Sequence, residues 1–188
     1  MLDKHELDAI NKEIDTRTSL FTRSRTMGTR EGEPHPARTS SGLSLAEDDP
    51  LTACLHKAMD KGLYDYTRSL MSYHKIFEDW PMPCCEYTRV NRETIQLLTY
   101  GAGQKYTWHH DVSNFQTSME FYRVFSTVLY LNDGFEGGGT NFLNKTYKPL
   151  PGEALFFPSN WCFPHEGQEV ISGEKRVAVT WWHSVMTL

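Results

Sequence analysis

His109, Asp111 and His165 are the residues of this chain whose types and spacing can do chemistry. A His-x-Asp pair joined by a later histidine supplies two neutral nitrogen donors and one anionic oxygen. Three such donors hold a divalent ion on one side of its octahedron and leave the opposite positions open, so that a cosubstrate and dioxygen can bind side by side; non-haem Fe(II) is the ion that uses this set. Alternate residues of a β-strand point the same way, which lets His109 and Asp111 reach one ion while His110, between them, faces away. Taken one at a time, a His-x-Asp on a strand and a histidine near a turn read better as ordinary satisfied polar groups. The neighbouring sequence carries the weight.

That neighbourhood is specific. Tyr100, Gly103, Gln104, Tyr106, His109 and Asp111 fill every fixed position of the pattern Tyr-x-x-Gly-Gln-x-aromatic-x-x-His-x-Asp. Downstream come an apolar run from Thr127 to Asp133, a Gly-rich turn from Glu136 to Phe142, and the strand-like segment Pro151 to Phe157. A third block runs through His165, Val170, Gly173, Lys175 and Trp181 in that order. Together these blocks resemble the prolyl 4-hydroxylase-like Fe(II)/2-oxoglutarate-dependent dioxygenases over about residues 85–184, with a weaker likeness at Arg38 to Gly42. The glycines 137–139 lack a following Lys-Ser/Thr and read as a turn between strands, not a phosphate loop.

The resemblance implies a set of roles. His109, Asp111 and His165 are the Fe(II) ligands. 2-Oxoglutarate chelates the iron through its keto acid end, and its distal carboxylate needs a cation inside the barrel, where an unpaired anion would be costly. Lys175, two residues after Gly173, stands where the family places its basic residue; Arg176 is the alternative, since strand alternation lets only one of the two neighbours point inward. Tyr100 falls where family members turn a tyrosine hydroxyl to the cosubstrate. Tyr106, Trp108 and Trp181 are expected to wall the pocket or a substrate groove, and no side chain is expected to act as a nucleophile. The implied reaction couples decarboxylation of 2-oxoglutarate to hydroxylation of a C–H bond by dioxygen, with ascorbate as a reductant. The substrate expected is a prolyl residue in a peptide or protein. The alternatives are a free amino acid or other small molecule, then a nucleic-acid demethylase, a metal-dependent hydrolase or a non-catalytic cupin-like binding module.

The elements that must position these residues follow from pattern and composition. The chain has 188 residues, 39% hydrophobic, enough for one core and hardly for two. Its net charge of -5 offers no general attraction to nucleic acid or to anionic membranes. Cys54, Cys84, Cys85 and Cys162 show no CxxC spacing, so no disulfide framework is expected. The charged N-terminus lacks the apolar core of a signal peptide, and no apolar run is long enough to span a bilayer, which points to a reducing, cytoplasmic setting without a membrane. A short helix is predicted from Leu2 to about Asp15, then a polar loop or arm from Thr16 to Ser41. Asp48, Asp49 and Pro50 open a helical run, and apolar residues at three- and four-residue spacing from Leu51 through Lys75 predict one or two helices on a sheet. After Arg89 short strands alternate with Gly, Asn and Asp turns. The expected fold is mainly β with flanking helices around a double-stranded β-helix, a cupin-like jelly roll. It is read as one domain, with residues 1–84 as helical and loop support and 85–188 as the core. The arm before residue 50 and the segment from Cys84 to Asn91 are candidate substrate-contact segments.

Overall fold

The computed structural model describes residues 1–24, 36–73, 75, 90–112 and 122–184. Two helices come first. α1 spans Lys4–Thr16, opened by a capping box in which the Asp3 carboxylate accepts from the Glu6 N–H and the Glu6 carboxylate accepts from the Asp3 N–H, both at 2.9 Å. α2 spans Pro50–Tyr73 as one continuous helix. Its start follows the same logic: the Asp49 side chain accepts from the Leu51 N–H, and Pro50 takes the first turn, where its missing N–H costs nothing. The predicted loop from Thr16 to Ser41 contains more order than its composition suggests. A 3-10 turn covers Thr18–Leu20, and β1 (Thr22–Arg23) pairs with β2 (Ser41–Ser44). Residues 25–35 of that arm, most of the Cys84 to Asn91 segment, and His74 lie outside the described residues.

The remaining strands are β3 (Val90–Arg92), β4 (Gln96–Tyr100), β5 (Tyr106–His109), β6 (Tyr122–Tyr130), β7 (Phe135–Gly137), β8 (Thr140–Phe142), β9 (Lys145–Tyr147), β10 (Ala154–Pro158), β11 (His165–Gly167), β12 (Val170–Gly173) and β13 (Lys175–Ser184). A large antiparallel sheet runs β1-β2-β4-β13-β6-β10, with β3 also on β13; a smaller one runs β5-β11-β8-β9, and β12 pairs with β7. This is the double-stranded β-helix, or jelly-roll, core expected from the sequence.

The two-residue period of β13 explains how one strand serves two cores. Lys175, Val177, Val179 and Trp181 face a cavity between the sheets, as do Gln96, Leu98 and Tyr100 of β4. Ala178 and Trp182, with Leu97 of β4, turn the other way and pack under the helices against Ile10, Ile14, Leu55 and Met59. The helices therefore back the large sheet and leave its inner face to the cavity. Gly173 and Gly137 are needed where β12 and β7 close on one another. Both have positive φ, and a Cβ on Gly173 would lie 2.1 Å from the Gly134 carbonyl oxygen.

Candidate metal centre

β5 and β11 are hydrogen-bonded partners, and His109 stands directly opposite His165 in their register. Two histidines distant in sequence are thereby brought face to face, with ring centroids 4.3 Å apart. Asp111, just beyond β5, is tied down by its N–H, which donates to the Ser159 carbonyl at 3.2 Å. Its Oδ1 lies 3.6 Å from His109 Nε2 and its Oδ2 lies 3.7 Å from His165 Nε2. The donor atoms of all three residues fall within 4.8 Å of one another.

The rest of each ring fits ligation. His109 Nδ1 is 2.8 Å from the Thr107 carbonyl oxygen and His165 Nδ1 is 3.1 Å from that of Phe163. A carbonyl only accepts, so each Nδ1 carries a proton, and Nε2, the ring nitrogen turned to Asp111, is the one left for a metal to take. Burial, and then the neighbouring His165, push His109 down to about 4, so its ring is neutral near pH 7. Burial alone would push the Asp111 carboxyl up; His165, His109 and hydrogen bonds from Ser126 and Trp181 outweigh it and hold the carboxyl below its ordinary value. Tyr106 stacks on His109 at 3.6 Å, while Phe157 and Phe142 pack on His165 at 4.7 and 5.6 Å. A carboxylate and two imidazoles in an apolar jacket, each imidazole with Nε2 turned to the carboxylate, form a donor set suited to Fe(II).

The triad opens into a cavity of about 350 Å³, the size of small-molecule sites in general. The same cavity is lined by Lys175, which is only 3% exposed. Its ammonium donates to the Gly138 carbonyl at 2.6 Å and to the Tyr130 hydroxyl at 3.3 Å, and sits 5.3 and 4.8 Å from the ring centroids of Tyr100 and Tyr130. Among the described residues no carboxylate pairs with it, and burial pushes it down to about 7. Such a cation is suited to an anion that enters the cavity. Tyr100 is its cross-strand partner and lines the same space. Arg176 points away, with Nη2 2.7 Å from Asp15 and Nε 2.7 Å from Glu174.

Of the three aromatics expected to wall the pocket or a substrate groove, Tyr106 and Trp181 line the cavity and Trp108 does not. Trp108 is 46% exposed. The reason is a bulge. Between the pairs His165↔His109 and Gly167↔Tyr106, β5 advances one residue more than β11, so Tyr106 and His109 can both face inward while Trp108 turns out. His110 corrects the expectation in the opposite sense. β5 ends at His109, and His110, no longer bound to strand alternation, lines the cavity.

Other polar groups around the triad were not singled out from the sequence. Arg123 holds Glu93 through Nε at 2.5 Å and Nη2 at 2.7 Å, donates from Nη1 to the Asp111 carbonyl at 3.2 Å, and lies 3.9 Å over the Trp181 ring. Ser126 donates to Asp111 Oδ2 at 2.6 Å. A charged or hydroxyl residue inside a largely apolar strand such as β6, Tyr122–Tyr130, is the signal that could have marked them. Cys54 and Cys162 are free thiols; Cys84 and Cys85 lie outside the described residues. No helix among the described residues is long and apolar enough to cross a membrane.

Residues 95–184 match the sequence profile of the 2OG-Fe(II) oxygenase superfamily. A putative prolyl 4-hydroxylase of Acanthamoeba polyphaga mimivirus is 38% identical over 109 residues, covering 49% of this chain and 45% of that protein. Probable prolyl 4-hydroxylase 3 of Arabidopsis thaliana is 33% identical over 142 residues, covering 58% and 50%. The chain thus spans about half the length of the curated relatives it matches. Among solved structures, the viral collagen prolyl hydroxylase of Paramecium Bursaria Chlorella virus-1 in its 2OG complex superposes with a TM-score of 0.64 at 22% identity, covering 98% of this chain and 92% of the other. A Pseudomonas putida prolyl-4-hydroxylase gives 0.65 at 17% identity, covering 97% and 88%. At these identities the structural likeness speaks for the fold.

Proposed function

We propose that the chain, whose residues 95–184 match the 2OG-Fe(II) oxygenase superfamily, is a member of it and is an Fe(II)- and 2-oxoglutarate-dependent dioxygenase that hydroxylates a prolyl residue of a peptide or protein. The observation that carries the reading is the presence, in one cavity, of a His-Asp-His donor set and a buried lysine whose hydrogen-bond acceptors among the described residues are neutral. A dicarboxylate with a metal-chelating keto acid at one end satisfies both.

When bound, Fe(II) and 2-oxoglutarate supply the oxidising power that turns a C–H bond and dioxygen into an alcohol, with succinate and carbon dioxide as coproducts. The chain's own residues bind and orient. His109 Nε2, His165 Nε2 and Asp111 hold the metal. Lys175, protonated, takes the distal carboxylate, and the Tyr100 and Tyr130 rings against its ammonium keep water from competing. Phe142, Phe157 and Tyr106 shield the histidines. Tyr106 and Trp181 offer aromatic faces to a pyrrolidine ring at the cavity. The preference for proline is supported by the mimivirus and Arabidopsis relatives, which are named as prolyl 4-hydroxylases.

The test is a peptide survey with Fe(II), 2-oxoglutarate and ascorbate, read by mass spectrometry. Proline-containing peptides are expected to gain one oxygen on proline. Oxygen gained only by a free amino acid or another small molecule would overturn the prolyl assignment and keep the oxygenase.

A further inference from the structure

Asp111 is held by more than its place at the end of a strand. Ser126 and Ser159 are each 1% exposed, and their hydroxyl oxygens are 2.8 Å apart. Ser126 donates its one proton to Asp111 Oδ2 at 2.6 Å, so in the serine pair it can only accept, and the shared proton belongs to Ser159. The hydroxyls therefore form a directed chain, Ser159 to Ser126 to Asp111, in which each bond polarises the next. The same Ser159 accepts the Asp111 N–H on its carbonyl, and its own N–H donates to the Val124 carbonyl at 3.1 Å. Ser126 also stands opposite Trp181 in the register of β6 and β13, and Trp181 contributes a hydrogen bond to the same carboxylate. Ser159 thus reaches Asp111 from the segment that ends in His165.

We propose that the buried Ser126–Ser159 hydroxyl pair is a positioning device for Asp111, which occupies Oδ2 and so presents Oδ1 to the metal as a single-oxygen ligand. The inference rests on the metal-centre reading above. A carboxylate free to rotate could bind through either oxygen or both, and would take up one of the positions that must stay open. Neither serine touches the metal or the cosubstrate in this account; both act through Asp111.

Mn(II) titration, followed by loss of the free-ion electron paramagnetic resonance signal and without cosubstrate, separates this role from mere packing. Ser126→Ala is expected to weaken Mn(II) binding by about 10–100-fold, the range for lost outer partners of metal ligands, with Ser159→Ala weaker in the same direction and Ser126→Thr restored to within about threefold of wild type. Melting of the metal-free proteins reports folding independently. A pair that only packs would lower the melting temperature and leave the Mn(II) affinity of the folded protein unchanged, and that result for Ser126→Ala and Ser159→Ala would overturn the inference. Should Ser126→Ala fail to fold, Ser159→Ala decides. A wild-type protein that binds no Mn(II) would overturn the metal centre itself, and this inference with it.

Discussion

Lys175 and Arg176 are neighbours in sequence that face opposite sides of β13: the first reaches the Gly138 carbonyl and Tyr130 hydroxyl inside the cavity, the second reaches Asp15 on α1 and Glu174 outside it. One pleat separates a cation available to a ligand from one already committed to carboxylates. Lys175→Ala is expected to weaken 2-oxoglutarate binding to the Mn(II)-loaded protein by at least about 30-fold, because the ligand's carboxylate would be left buried without a partner. Arg176→Ala should change that affinity by less than about threefold and lower stability by about 1 kcal/mol or less, as for a partly exposed ion pair. Isothermal titration and thermal melting of the two variants check both halves.

The same lysine sets a pH dependence. In the free protein burial brings it down to about 7, and a bound carboxylate favours its charged form, raising its pKa in the complex. Binding above pH 7 must therefore take up a proton, and the dissociation constant for 2-oxoglutarate should be flat below pH 7 and rise up to about tenfold per pH unit above it, until the raised pKa of the complex is reached. Lys175→Met should flatten the profile. A wild-type affinity that is constant from pH 6 to pH 9 would contradict it.

Each of His109→Ala, Asp111→Ala and His165→Ala removes one of three converging donors. The expected loss of Mn(II) affinity exceeds the about 10–100-fold typical of an outer hydrogen-bond partner. His110→Ala, by contrast, should leave metal affinity within about threefold of wild type, since its ring is not in the donor set.

Much of this was legible in the sequence. The triad and Lys175 could be read because strand alternation and motif spacing act over a few residues, and the helix starts because Asp3 with Glu6 and Asp49 with Pro50 are local signals. Trp108 lies off the cavity for a definite reason: alternation from Tyr106 and alternation from His109 conflict, and only the pairing with β11 shows that a bulge reconciles them. His110 was misread because the end of β5 is invisible in the pattern. Ser126, Ser159 and Arg123 were missed because their meaning depends on cross-strand register between segments far apart in the chain. The pairing of β1 with β2 across a polar arm was missed for the same reason.

Gly173 tests the turn that delivers Lys175. Its φ is +78° and an added Cβ would meet the Gly134 oxygen at 2.1 Å, a backbone atom that cannot swing aside. Gly173→Ala is expected to destabilise by about 2 kcal/mol or more, from the left-handed backbone and the clash together. Chemical denaturation checks it; a loss under about 0.5 kcal/mol would show that the turn relaxes freely.

The most direct measurement is succinate formed from 2-oxoglutarate by the wild-type protein with Fe(II) and dioxygen, alongside Lys175→Ala and His165→Ala. The account predicts succinate that depends on Fe(II), is lost in His165→Ala, and in Lys175→Ala is recovered only at raised 2-oxoglutarate. Wild-type protein that binds Mn(II) and 2-oxoglutarate yet makes no succinate with any proline-containing peptide, free amino acid or nucleic acid would contradict it.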